Sequence, residues 1–279
     1  MNFIDQLKAA RVYDLGQSYF VGMPHFPTHP PFLYSLTKQH GDIVLKNGAS
    51  SAAEAIALGG HVGTHIDALC HFSCGGRFYG GVEASPIQSF DHGFAELGIG
   101  TVPPIIRRGL LFDVAGFMGV DVLAHDFAVT PQILDAIASA HGIRVAAGDV
   151  VLIRTGWGSL WRDHRRYITG GLHEQAVGPG PELAGAKWIS SHGVYAAGSD
   201  TVAFERLPAP EMPVHVHLLV ESGIHIIECL NLEELARDQV REFGLVASPM
   251  KIEGGTGAPV RPLALVARPG PGNACQMTT

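Results

Sequence analysis

The stretch His61-Val62-Gly63-Thr64-His65-Ile66-Asp67-Ala68-Leu69-Cys70-His71-Phe72 holds three imidazoles and a carboxylate within eleven positions. Neutral imidazole plus carboxylate is a ligand set for divalent Zn, Mn or Fe. No ideal element gathers all four side chains. In a helix His61 and His65 share a face while Asp67 and His71 point elsewhere. In a strand positions 61, 65, 67 and 71 share a face, but at about 3.3 Å per residue the ends stand tens of ångströms apart. A curled backbone is therefore expected, with Gly59, Gly60 and Gly63 supplying the freedom for it.

A second cluster lies far along the chain, between Pro213 and Glu228, with His215, His217 and His225. On a helix His215 falls on the stripe of Leu218 and Leu219, and His217 points the opposite way. A buried imidazole needs a partner, and a metal or a catalytic water supplies one. Glu228 ends an apolar run, where a carboxylate must be exposed or paired.

These residues need elements to hold them. Thr130-Pro131 reads as an N-cap followed by proline at the first helical position, with Ile133, Leu134, Ile137 and Ala138 as the apolar face and Gly142 as the stop. Val150–Ile153 reads as a buried strand after Gly148-Asp149. A helix is expected over 181–192 and a strand over 194–197. A further helix is expected over 214–222, a strand over 224–228 and a last strand over 263–266. An amphipathic N-terminal helix carries Phe3, Ile4, Leu7 and Ala10, and docks on its own domain or on a second subunit. Strands alternating with helices predict an α/β layer architecture. The organisation expected is one domain over 1–267, followed by a mobile Pro-Gly tail over 268–279.

The chain has 279 residues, 46% hydrophobic and 16% charged, enough for a substantial core. A formal net charge of -7 and no long Lys/Arg run argue against nucleic acid. No apolar run reaches membrane-spanning length, and the N-terminus is too polar for a signal segment. Four cysteines without a disulfide framework predict a reducing cytoplasm.

His61, Gly63, Thr64, His65, Asp67 and His71 match, position for position, the H-x-G-T-H-x-D-x-x-x-H signature of the metal-dependent cyclase family. That family includes bacterial kynurenine formamidases and isatin hydrolases. The resemblance continues through Gly148–Gly156, Gly198-Ser199-Asp200-Thr201 and Pro213–Glu228. It implies a swivelling β/β/α-type fold with a central mixed sheet or barrel and surrounding helices. It also implies that His61, His65 and Asp67 bind the principal metal and that His71 is the general acid/base. His215 and Glu228 would complete that centre or form a second one, His215 with a catalytic part and Glu228 as a ligand. Phe26-Pro27 matches the family's aromatic-proline pair against the substrate. Phe72, His217 and Trp157 are further substrate-binding candidates; Trp157, like Phe26, Phe32 and Trp161, is weighed as a pocket wall against plain core packing, which is favoured for the two tryptophans.

Leu69 stands where formamidases carry proline, and the distal His-to-Glu gap is one residue longer than theirs. Both point to the isatin hydrolase branch. The expected activity is hydrolysis of a C–N amide bond in a small aromatic substrate, isatin to isatinate, with Mn2+ as the metal and Zn2+ as the alternative. Arylformamidase activity on N-formylkynurenine is the runner-up, and a catalytically silent binding protein is the reading from another class. The resemblance further implies a homodimer. Serine hydrolase, P-loop, dinucleotide-binding and H-E-x-x-H peptidase readings fail for want of their motifs.

Overall fold

The computed structural model describes residues 2–171 and 173–267; the tail expected over 268–279 lies outside them. Nine strands form one mixed sheet: β1 Arg11–Asp14, β2 His65–Asp67, β3 Ile105–Asp113, β4 Val150–Arg154, β5 Ala196–Ser199, β6 His225–Glu228, β7 Glu242–Ala247, β8 Gly257–Pro259 and β9 Leu263–Val266. Their spatial order is β1-β9-β7-β3-β4-β5-β6-β2-β8. The central run β3-β4-β5-β6 is parallel, and both flanks are antiparallel. This is the α/β fold with a central mixed sheet that the sequence implies.

The parallel strands are buried on both faces, which is why Val150-Val151-Leu152-Ile153 carries no polar position. Alternation sends Val150 and Leu152 into one core with Ile66, Ile227 and Leu245. Val151 and Ile153 enter a second core with Leu134, Ile189, Leu218 and Leu219, beneath the helices.

Helix α1 spans Phe3–Ala9, capped by the Asn2 side chain. Its Ile4 and Leu7 are exposed and so are not docked on this chain. Helix α2, Pro131–His141, starts at a Thr130 cap and stops at Gly142, whose φ is +65°. Helix α3 is Leu183–Ser191, shorter than expected, because Gly180-Pro181 pairs with Ala128-Val129 in a small parallel ribbon. The segment expected as one helix over 214–222 is a short α-turn, α4 Pro213–His215, that widens into a π-helix over Val216–Glu221. Such widened turns concentrate at functional sites.

One antiparallel ribbon, Leu33–Lys38 with Ala53–Ala57, stands apart from both cores. Tyr34, Leu36 and Ile56 on it are exposed, as are Ile43, Val44 and Leu45 at its far end. No helix among the described residues is long and apolar enough to cross a membrane.

Candidate metal centre

The curl around the first motif has identifiable causes. Gly63 adopts φ +70°, and a side chain there would stand on the Tyr19 ring, whose Oη lies 2.6 Å from the Cβ position. Tyr19 fills that space and donates from Oη to the Val62 carbonyl at 2.9 Å. Thr64 Oγ1 donates to the Cys229 carbonyl at 2.6 Å and accepts the Gln17 amide at 2.8 Å. These bonds tie the loop to the end of β6. Antiparallel pairing of β2 with β6 then sets Glu228 opposite His65. On the other side β8 sets Gly257 opposite Asp67, and a side chain on Gly257 would occupy the place of the His61 imidazole.

The donor atoms converge. His61 Nδ1 lies 2.7 Å from Asp67 Oδ1, and its Nε2 is held by Thr256 Oγ1 at 2.9 Å. His65 donates from Nδ1 to the Gly63 carbonyl at 2.8 Å. That bond leaves Nε2 free, 3.5 Å from Asp67 Oδ1 and 3.3 Å from Glu228 Oε2. His215 Nδ1 binds Glu205 Oε1 at 2.7 Å; its Nε2 is 3.3 Å from Glu228 Oε1 and 3.9 Å from Asp67 Oδ2. A carbonyl or carboxylate on one ring nitrogen while the other faces inward is how metal-binding histidines are oriented. Two groups of ligand atoms result, His61-His65-Asp67 and Asp67-His215-Glu228, each within 4.8 Å and sharing Asp67.

Asp67 Oδ2 is buried without a hydrogen-bond partner among the described residues. Leaving a carboxylate oxygen in that state is costly unless a cation completes it. The donor set and this oxygen together fit a divalent metal.

Burial opposes charge on His65, Asp67, His215 and Glu228, yet the neighbours win. His71, His61 and His65 hold the Asp67 carboxyl far below its usual range. Against the same burial, bonds from His215 and His65 bring Glu228 down to about 2. Glu205 and Glu228 raise His215 to about 10. His71 is the exception: burial, reinforced by His61 and His215 and opposed by Asp67, lowers it to about 3. A neutral His71 stacks on His61, ring centroids 3.8 Å apart at 23°. Its imidazole makes no hydrogen bond to a described residue.

His65, His71, His215 and Glu228 floor a cavity of about 170 Å³. Phe26, Phe72, Val202, Ala203 and Met212 supply apolar wall, and Thr28 and His29 complete the lining. An adjoining depression shares Phe26 and Met212 and adds Glu174 and Gln175.

Of the site residues expected from sequence, the structure brings together His61, His65, Asp67, His71, His215, Glu228, Phe26 and Phe72. Two stand elsewhere. Trp157 is core: its indole N–H donates to the Leu123 carbonyl at 3.1 Å and the ring lies outside the cavity. His217 faces away, bound to Glu221 at 2.7 Å and to Ser190 of α3 at 2.8 Å. Phe32 packs edge-on against Tyr19, and Trp161 donates to the Ser18 carbonyl. Asp200, from the Gly198–Thr201 stretch, is scaffold; it accepts the amides of Thr155 and Gly156 and the Thr155 hydroxyl.

Sequence reasoning missed Glu205, Thr256 and His29. Glu205 carries one signal, a carboxylate ten residues before His215. Thr256 carries none.

A sequence profile named Cyclase matches residues 13–206. The chain belongs to the Cyclase family. It is 29% identical over 221 residues to the isatin hydrolase of Roseibium aggregatum, covering 76% of this chain and 73% of that protein. It is 28% identical over 209 residues to the kynurenine formamidase of Salinibacter ruber, covering 74% and 76% respectively. A crystal structure of a novel cyclase superposes with a TM-score of 0.83 at 28% identity, covering 94% of this chain and 88% of that one.

Proposed function

We propose that this Cyclase-family chain is a metal-dependent hydrolase that opens the C–N amide bond of a small, uncharged aromatic substrate, with isatin to isatinate as its model reaction. The orphaned Oδ2 of Asp67, the residue that the two ligand groups share, carries the metal part of this reading. His61, His65 and Asp67 would hold the principal ion, and Glu228 with His215 would complete the centre. When bound, a divalent ion supplies Lewis acidity, acidifying water and polarising a carbonyl. Mn2+ is the proposed ion, with Zn2+ as the alternative.

His71 is the proton carrier. It makes no hydrogen bond to a described residue and lines the cavity, so it is placed to accept a proton from the attacking water and return it to the leaving nitrogen. Balance requires one water: its oxygen joins the carbonyl carbon as the C–N bond breaks, and its protons divide between the new acid and the amine.

The cavity supports a small substrate. About 170 Å³ is below the roughly 300–1,000 Å³ of pockets that take drug-sized ligands. Neither its lining nor the adjoining depression contains Lys or Arg among the described residues. The α-carboxylate of N-formylkynurenine would find no Lys or Arg partner there, whereas a neutral bicyclic lactam needs none. The test is turnover of isatin and N-formylkynurenine by protein reconstituted with Mn2+ or Zn2+. Ring opening of isatin is expected; no turnover of either substrate with either ion would overturn the proposal.

We further propose a homodimer working in the reducing cytoplasm, where Cys70, Cys74 and Cys229 remain free thiols. The ribbon 33–57 supports the dimer. An isolated two-stranded ribbon is marginal in water, and this one exposes apolar residues on both faces. The outer face of β1, β9, β7 and β3 carries exposed Val12 and Ile106, so exchange of ribbons across a two-fold axis buries both surfaces. Sedimentation equilibrium giving the monomer mass at micromolar concentration would refute it.

A further inference from the structure

His29 is an imidazole in the cavity that the hydrolytic chemistry leaves unused. Its ring centroid lies 5.4 Å from that of His61, 6.4 Å from that of His71 and 5.6 Å from that of Phe26. Its Nδ1 is 3.3 Å from the carbonyl oxygen of His61. A carbonyl only accepts, so the hydrogen of the neutral ring sits on Nδ1, and Nε2 presents a lone pair. No described residue donates to Nε2. Met212, Val202 and Ala203, which also line the cavity, offer no side-chain donor.

We infer that His29 is a positioning residue whose Nε2 accepts the N–H of the substrate amide, so that the site selects amides that retain an N–H. This rests on the amide-hydrolysing reading of the same cavity. An N–H substrate satisfies the part-buried acceptor and is held with its nitrogen toward the His29 side. An N-alkyl amide leaves the acceptor unpaired and sets a methyl group against it. Mispairing of this kind corresponds to about 10- to 100-fold in kcat/KM. The bond to the His61 carbonyl fixes the ring, so the preference is built into the fold.

The test pairs isatin with N-methylisatin as substrates, and oxindole with N-methyloxindole as unreactive ligands followed by calorimetry on both metal-free and metal-loaded protein. The native chain is expected to favour the N–H member of each pair by about 10- to 100-fold. His29→Phe should erase the preference by weakening only the N–H member, with metal content unchanged. His29→Gln, which keeps a donor and an acceptor, should restore part of it. Equal handling of N–H and N-methyl partners by the native chain would overturn the proposal. So would a His29→Phe variant that loses metal while keeping its N–H preference. If no lactam is hydrolysed but metal-free protein still discriminates between the oxindoles, the hydrolytic reading fails and the role of His29 stands.

Discussion

Replacing Gly63 by alanine tests whether the curl of the first motif is what its geometry says it is. At φ +70° an L-residue costs about 1–2 kcal/mol relative to glycine. The new Cβ also meets the Tyr19 phenol and must push it from its bond to the Val62 carbonyl, a loss of about 0.5–1.5 kcal/mol. Alanine restricts the unfolded chain, returning about 0.4–1 kcal/mol. The net is a destabilisation of about 2 kcal/mol. With an m-value of about 3 kcal/mol/M, the urea midpoint of metal-free protein falls by about 0.7 M. In a Tyr19→Ala background the steric part is gone, and Gly63→Ala should cost about 1 kcal/mol, which a double-mutant cycle reads directly. A midpoint shift below about 0.2 M in the native background, or an equal cost in both, would refute the reasoning.

Four other outcomes are expected. His71→Asn should retain metal, measured by elemental analysis, while kcat for ring opening falls by about 10²–10⁴. The Cε1 proton resonance of His71 in metal-free protein should also stay flat from pH 8 to pH 5, since its ring is held down to about 3. Glu205→Gln keeps the shape beside His215 but not the charge, and should weaken Mn2+ binding about 10- to 100-fold in a competition titration with a chelator. Glu228 is depressed from 4.5 to about 2. Its stabilising contribution to metal-free protein is thus fully present above 4.5 and is lost as pH falls through 2. Urea midpoints at pH 5.5 and pH 3 should drop more for the native chain than for Glu228→Gln.

How much of this was legible in the sequence follows from distance along the chain. The first motif could be read because its ligands fall within eleven positions and its curl within one glycine. Helix α2 could be read because Thr130, Pro131 and Gly142 mark both ends locally. The π-helical turn after His215 could not. Val216–Glu221 has an ordinary helical composition, and its widening depends on how Leu218 and Leu219 seat in the core. Glu205, Thr256 and His29 come from loops whose side chains gain meaning only when the sheet closes. Trp157 misled because an aromatic beside a motif resembles a pocket wall, whereas its N–H had an acceptor waiting inside.

The bond from His29 to the His61 carbonyl spans 32 positions and pinches off everything between them. The exposed ribbon hangs from that pinch. Closing such an excursion depends only weakly on its length, about 0.6 kcal/mol per doubling. The site is therefore insulated from how long the ribbon is, and residues 33–57 behave as a replaceable cartridge. Engineered versions can lengthen, shorten or regraft it while the site at its base keeps its geometry.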